Sequence, residues 1–156
     1  MTMRVQIVNR YVQSALDVIS KETNLPVKRG GLLLEGNPYT TEDVTAVIGV
    51  SGKLSGSLYL SMSETVALKL ISAIIGQETT ELDDLGQSGI AEMANVIAGT
   101  AGTELADEGL DTVINPPLVL VGRGARLSTV EIQRLVVPLT TAYGEVRLHV
   151  ALREAL

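Results

Sequence analysis

The chain has 156 residues, 46% of them hydrophobic, which is enough for one domain with a proper core and too little for two comfortable ones. Its 18 acidic residues outweigh 12 basic ones, and a formal charge of -6 argues against nucleic acid or an anionic membrane as partner, since both demand a concentrated positive surface. No cysteine is present, which removes disulfides, thiolate metal ligands and a cysteine nucleophile together, and four Tyr with no Phe or Trp leave an aliphatic core.

The opening MTMRVQIVNRYVQ shows neither a basic segment followed by an apolar run nor a small-residue cleavage pattern, so no signal peptide is read there. No window approaches the roughly 20 apolar residues that a membrane-spanning helix needs. The expectation is a soluble cytoplasmic protein.

Over residues 3–23, Val5, Val8, Val12, Ala15, Leu16 and Ile19 follow helical spacing, and Asn24 with Pro26 supplies a stop. Asn9, in the first turns, reads as a local cap or turn former. Residues 28–35 predict a strand, and Gly36, Asn37 and Pro38 a turn. Val44, Ala46, Ile48 and Val50 then alternate with Thr45, Val47, Gly49 and Ser51, the period of a half-buried strand. SGKLSG turns the chain, and Leu58, Leu60 and Met62 return on one face, which predicts an antiparallel pair.

A second helix is predicted over 63–75, with Ser61 and Glu64 at capping-box spacing, Gly76 as the stop, and Val66, Leu70, Ile71 and Ile74 inward. The acidic linker QETTELDD leads into a third helix, where Asp84 and Gln87 have the spacing of a cap and its reciprocal partner. Beyond Gly109 and the break at Pro116 and Pro117, residues 118–121 read as a short strand and GRGA as a turn. Residues 132–143 read as a long strand in which Pro138, lacking an N–H, requires an edge or a bulge. After Gly144, Val146, Leu148, Val150 and Leu152 alternate with Arg147, His149, Ala151 and Arg153, which predicts a half-wet last strand. The sum is an α+β, two-layer domain over residues 1–156, a mostly antiparallel sheet with long helices packed on one face.

The third helix, LGQSGIAEMANVIAGTAGTEL over 85–105, has an unusual exposed side. Ile90, Met93, Ala94, Ile97, Ala101 and Leu105 gather on one apolar face. Opposite them Ser88, Glu92, Asn95, Gly99 and Gly102 recur at steps of four, three, four and three, forming one stripe. Asn lies up to about 0.7 kcal/mol and Gly about 1 kcal/mol below Ala in helix propensity, so the stripe reads as selected for something besides helix stability, and the plainer alternative is a solvated helix face with glycines that serve helix packing. Glu92 and Asn95 point the same way with Cβ atoms about 5 to 6 Å apart, and no bulky group obstructs the stripe over the roughly 16 Å from Ser88 to Gly99. A carboxylate pushed into another protein's cleft would find a cation there, and a carboxamide could hold a water by both donating and accepting.

Other chemistries are poorly supported. One histidine, His149, alternates with Leu148 and Val150 and reads as an ordinary solvent-facing strand residue rather than a base. No H-E-x-x-H or calcium loop appears, and the glycines of GRGA and KRGGLLLEG belong to turns rather than to a phosphate-binding loop.

Ser88-x-x-x-Glu92-x-x-Asn95, followed by Ala98 and Gly99, resembles the helix signature of the CheC/CheX/FliY phosphatases of bacterial chemotaxis, in its Ser form. The single copy, the NRYVQSALDVI leading to VKRGG and the overall length are similar to CheX in particular. The resemblance implies a phosphatase acting on the aspartyl phosphate of a CheY-like response regulator, with Asn95 orienting the attacking water and Glu92 pairing with the regulator's active-site lysine. It implies no cofactor of the chain's own, magnesium in the partner regulator, and a homodimer formed through sheet edges; Ser88 is then placed at the rim of the contact, and Gly99 with Gly102 either permits close approach of the regulator or serves helix packing inside the domain. Two other readings of the stripe stand beside this one: a non-catalytic module docking a receiver domain or flagellar switch component, and a surface for self-association alone.

Overall fold

The computed structural model describes residues 4–36 and 38–155. In chain order it contains α1 (Val5–Thr23), β1 (Lys28–Arg29), β2 (Leu33–Glu35), β3 (Tyr39–Thr40), β4 (Val44–Gly52), β5 (Leu54–Met62) and α2 (Glu64–Ile75). There follow α3 (Asp84–Asp107), β6 (Thr112–Ile114), β7 (Leu118–Val121), β8 (Arg126–Leu127), β9 (Arg134–Thr141) and β10 (Gly144–Glu154).

Eight strands pair in the order β1-β9-β10-β5-β4-β6, with β2 also on β9 and β7 also on β4, every pairing antiparallel. The period-2 pattern sets the register. Val44 faces Met62, which faces Val146, and Ile48 faces Leu58, which faces Val150, so apolar rows cross the sheet and meet the helices. Ile7, Tyr11, Val12 and Ile19 of α1, Leu70 and Ile71 of α2, and Ile90 and Ile97 of α3 close the same core. The α+β architecture read from the sequence is the one observed.

Pro138 acts through its neighbours. β9 is not an edge, because β10 lies on one side of it and β1 with β2 on the other. Gly30 N–H donates to the Pro138 carbonyl at 2.7 Å, and a Cβ on Gly30 would sit 2.7 Å from Pro138 Cγ. The single strand expected over 28–35 therefore splits. Between the pairs Arg29–Leu139 and Leu33–Val136, three residues oppose two, which is a bulge.

Both expected helix caps move by one or two residues. Ser63, not Ser61, caps α2, its side chain accepting from Val66 N–H at 3.2 Å, while Ser61 still belongs to β5. Asp83, not Asp84, caps α3, accepting from Gly86 N–H at 2.9 Å, and Gln87 donates to the Leu82 carbonyl instead of reciprocating. Gly76 ends α2 with φ at 84° and Asn24 ends α1 with φ at 58°, the left-handed conformation that closes helices. Asn9 is no turn former. It sits in the second turn of α1, exposed, and its Oδ1 accepts from Arg29 Nη1 at 3.1 Å.

The far side of the sheet corrects the reading of the last strand. β3 and β8 pair with each other and bring Tyr39 over that face. His149 is 1% exposed, its ring 4.5 Å from Tyr39 and 5.6 Å from Tyr59 between centroids. Arg134, 2% exposed, donates from Nη1 to His149 Nδ1 at 2.8 Å and to Glu35 at 3.3 Å, and from Nη2 to the Gly36 carbonyl at 2.8 Å. A guanidinium can only donate, so Nδ1 accepts, Nε2 carries the proton, and that proton goes to Ser61 Oγ at 2.8 Å. Burial first, then the charges of Arg134 and Arg147, push the histidine pKa down to about 3. A histidine that donates to a buried serine cannot act as its base. This Ser–His contact is structural.

Candidate functional site on the third helix

α3 is held from three directions. Its apolar side, including Ile90, Met93, Ile97, Ala101 and Leu105, is buried in the core. α1 pins the middle, where Ser14 Oγ donates to the Ile97 carbonyl at 2.7 Å, and the end, where Arg10 pairs with Glu104 at 3.7 Å and with Glu108. α2 crosses at Gly89, where a Cβ would come within 2.6 Å of Ile71 Cδ1.

The stripe divides along its length. Gly102 faces β6, where a Cβ would meet Thr112 Oγ1 at 2.9 Å, and one on Gly99 would lie 4.0 Å from Ile114 Cδ1. Packing of the helix against a strand of its own domain thus accounts for Gly102, and Gly99 is half-buried beside the same strand. The amino-terminal half is open. Ser88 and Glu92 are exposed and Asn95 is half-buried, and none of the three side chains has a hydrogen bond or ion pair among the described residues. The same line begins with Leu85, three residues before Ser88 and 64% exposed, an apolar residue that the polar stripe does not include.

The helix presents a ridge rather than a cavity. An open groove of about 660 Å³ lies elsewhere, along α2, lined by Leu68, Lys69, Ser72 and Tyr143 among others and by none of the stripe. Among the described residues no three His, Asp or Glu side chains are grouped to hold a metal ion. Charge along this part of the chain has one sign. Residues 70–122 contain Glu78, Glu81, Asp83, Asp84, Glu92, Glu104, Asp107, Glu108 and Asp111 and no Lys or Arg. An acid and an amide on a convex, negatively charged rod, backed by a rigid core, can serve a reaction centre only if another molecule provides the concave side.

Residues 44–140, which include β4, β5, α2 and α3 and stop before β10, match the family model described as chemotaxis phosphatase CheX. The chain belongs to the CheX family. The CheY-P phosphatase CheX of Thermotoga maritima is 32% identical over 128 residues, covering 81% of this chain and 83% of that protein. A CheC-like superfamily protein from Shewanella sp. PV-4 superposes with a TM-score of 0.88 at 24% identity, over 97% of this chain and 99% of its own. The CheX of Borrelia burgdorferi, solved in complex with CheY, BeF3 and magnesium, superposes with a TM-score of 0.83 at 23% identity, over 97% of this chain and 100% of its own. These likenesses establish the CheX fold for the chain. No helix among the described residues is long and apolar enough to cross a membrane.

Proposed function

We propose that this chain is a phosphatase for the aspartyl phosphate of a CheY-like response regulator, and that it works by inserting α3 so that Asn95 orients the attacking water while Glu92 pairs with the regulator's active-site lysine. The observation that carries the reading is that Glu92 and Asn95 stand side by side, unpartnered among the described residues, on the outer face of a helix whose inner face is locked into the core. The Thermotoga relative's designation as a CheY-P phosphatase and the Borrelia complex with CheY support the choice of partner.

The chemistry asks little of this chain. An acyl phosphate is already labile, and the regulator brings magnesium and lysine to neutralise the phosphoryl oxygens. What is missing is a water held in line, and a fixed carboxamide supplies it by accepting a hydrogen bond from that water at its oxygen. Pre-paid orientation of this kind is worth orders of magnitude in rate without a nucleophile, a histidine base or a resident metal. Ser88 and Gly99 flank the pair at the rim. The chain acts as one domain in the cytoplasm, and as a homodimer joined through an edge of its sheet. The free edges β1–β2 and β6–β7 carry exposed apolar side chains such as Leu34, at 64%, and Val113, at 63%.

The test is the rate of phosphate loss from a phosphorylated CheY receiver domain with the parent protein and with Asn95→Ala. The variant is expected to be slower by about a hundredfold. An unchanged rate removes Asn95 from the mechanism, and receiver binding without faster phosphate loss replaces the phosphatase by a docking module.

A further inference from the structure

We infer that Leu85 is the apolar anchor by which the regulator's receiver domain grips α3, an inference that rests on the phosphatase reading of Glu92 and Asn95. Leu85, Ser88, Glu92 and Asn95 follow one another at steps of three, four and three, so they share one face of the helix. Leu85 lies about 15 Å along the axis from Asn95. A standard interface covers about 800 Å² on each partner, a patch on the order of 30 Å across, so a protein seated over Glu92 and Asn95 also covers Leu85.

Single exposed apolar residues are ordinary on protein surfaces, and most carry no meaning. Leu85 differs in its position and in its idleness. It is 64% exposed and belongs neither to the core nor to the apolar side chains packed against it. It takes no part in starting the helix, since Asp83 provides the cap and Leu82, half-buried against the core, fills the place before it. It is also the large apolar side chain that α3 exposes among the described residues.

The rest of the exposed line is polar, and polar contacts at an interface orient more than they bind, because each must first shed water. Affinity therefore has to come from elsewhere on the ridge. In the chain on either side of Leu85 come Glu78, Glu81, Asp83, Asp84 and Glu92, all exposed, with no Lys or Arg between residues 70 and 122 and no ion pair to these five among the described residues. The complementary occupant is a receiver face with an apolar depression rimmed by Lys or Arg, set back from its phosphorylation site by the Leu85–Asn95 span.

The test measures kcat and KM on a CheY receiver domain charged with acetyl phosphate, and affinity by titration with the same domain held by beryllium fluoride and magnesium. Leu85→Ser is expected to raise KM and Kd about tenfold with kcat kept, and Leu85→Met to restore them. Val5→Ser is the control, since Val5 is 54% exposed at the start of α1, whose Arg10 pairs with Glu104 and Glu108 at the other end of α3 from Leu85. Unchanged KM and Kd in Leu85→Ser, an equal rise in Val5→Ser, or a parent protein that does not bind the charged receiver would each overturn the proposal. The phosphatase reading is judged separately by Asn95→Ala, which should lower kcat while leaving Kd near the parent's. If phosphate loss is not accelerated at all, the Kd of Leu85→Ser still decides the anchor.

Discussion

Two groups of polar side chains sit on opposite sides of this molecule, and they differ in what their neighbours have done for them. On the far face of the sheet a chain of hydrogen bonds joins Ser61, His149, Arg134 and Glu35, with the Tyr39 ring packed against the guanidinium and the imidazole, so these groups are engaged with their own chain. On α3, Ser88, Glu92 and Asn95 have no partner within the described chain and keep their hydrogen-bonding capacity. The first group contains a serine, a histidine and a charged third member at bonding distance and has no catalytic potential, because the proton already sits on the wrong nitrogen. The second contains neither nucleophile nor base and is the better candidate for chemistry. Availability separates them more than residue type does.

Substitutions should therefore have opposite consequences on the two sides. The largest effect is expected at Arg134→Ala, which strands His149 Nδ1 and the Gly36 carbonyl and should cost about 3–5 kcal/mol in chemical denaturation, with the specific activity of the folded fraction retained. Asn95→Ala should do the reverse, changing stability by about 0.5 kcal/mol at most while lowering the phosphatase rate about a hundredfold, near 2.7 kcal/mol of barrier. A destabilised Asn95→Ala or an inactivated but folded Arg134→Ala would erase the distinction.

A pH series sharpens it. The folded pKa of His149, about 3, lies below its ordinary value of 6.5, so as pH falls through 6.5 the unfolded chain takes up a proton that the native state refuses. The contribution is nil above pH 6.5, and stability declines below it by up to about 1.4 kcal/mol per pH unit until the native histidine protonates. Urea midpoints between pH 7 and pH 4 should fall more steeply in the parent than in His149→Gln, and equal slopes would show that this ring is not buried neutral. Smaller still, Ser61→Ala should cost about 1 kcal/mol for one buried hydrogen bond. Ser88→Ala, at the rim of the ridge, should stay within about 0.5 kcal/mol in stability and change the rate no more than severalfold.

The main layers were legible in the sequence because they are written in periods. Val44, Ala46, Ile48 and Val50 against Leu58, Leu60 and Met62 specify a strand pair, and the i, i+3, i+4 series of α1 and α3 specify the helices that cover it. The ridge was legible for the same reason, since Ser88, Glu92 and Asn95 keep helical spacing on the side where Lys or Arg would be ordinary. What escaped was decided by partners distant in the chain. β3, β6 and β8 are two or three residues long, too short to show a period, and exist because Thr112–Ile114 finds β4 and Tyr39 finds Leu127. His149 alternates as a surface residue should, and only the arrival of Tyr39 and Arg134 makes its side of the sheet dry. Gly102 has the spacing of the stripe but answers to Thr112, a distinction that no local pattern contains.

The lodging of Gly102 against Thr112 and of Ile97 against Ser14 fixes how α3 is rotated about its own axis just past Asn95. One residue inserted or deleted between Asn95 and Ile97 would leave those lodgings where they are and swing everything before them by about 100°. Leu85, Ser88, Glu92 and Asn95 would then be carried off together towards a neighbouring helix or the sheet. Substitution can tune this ridge one side chain at a time, whereas a change of length at that point would lose the whole row at once.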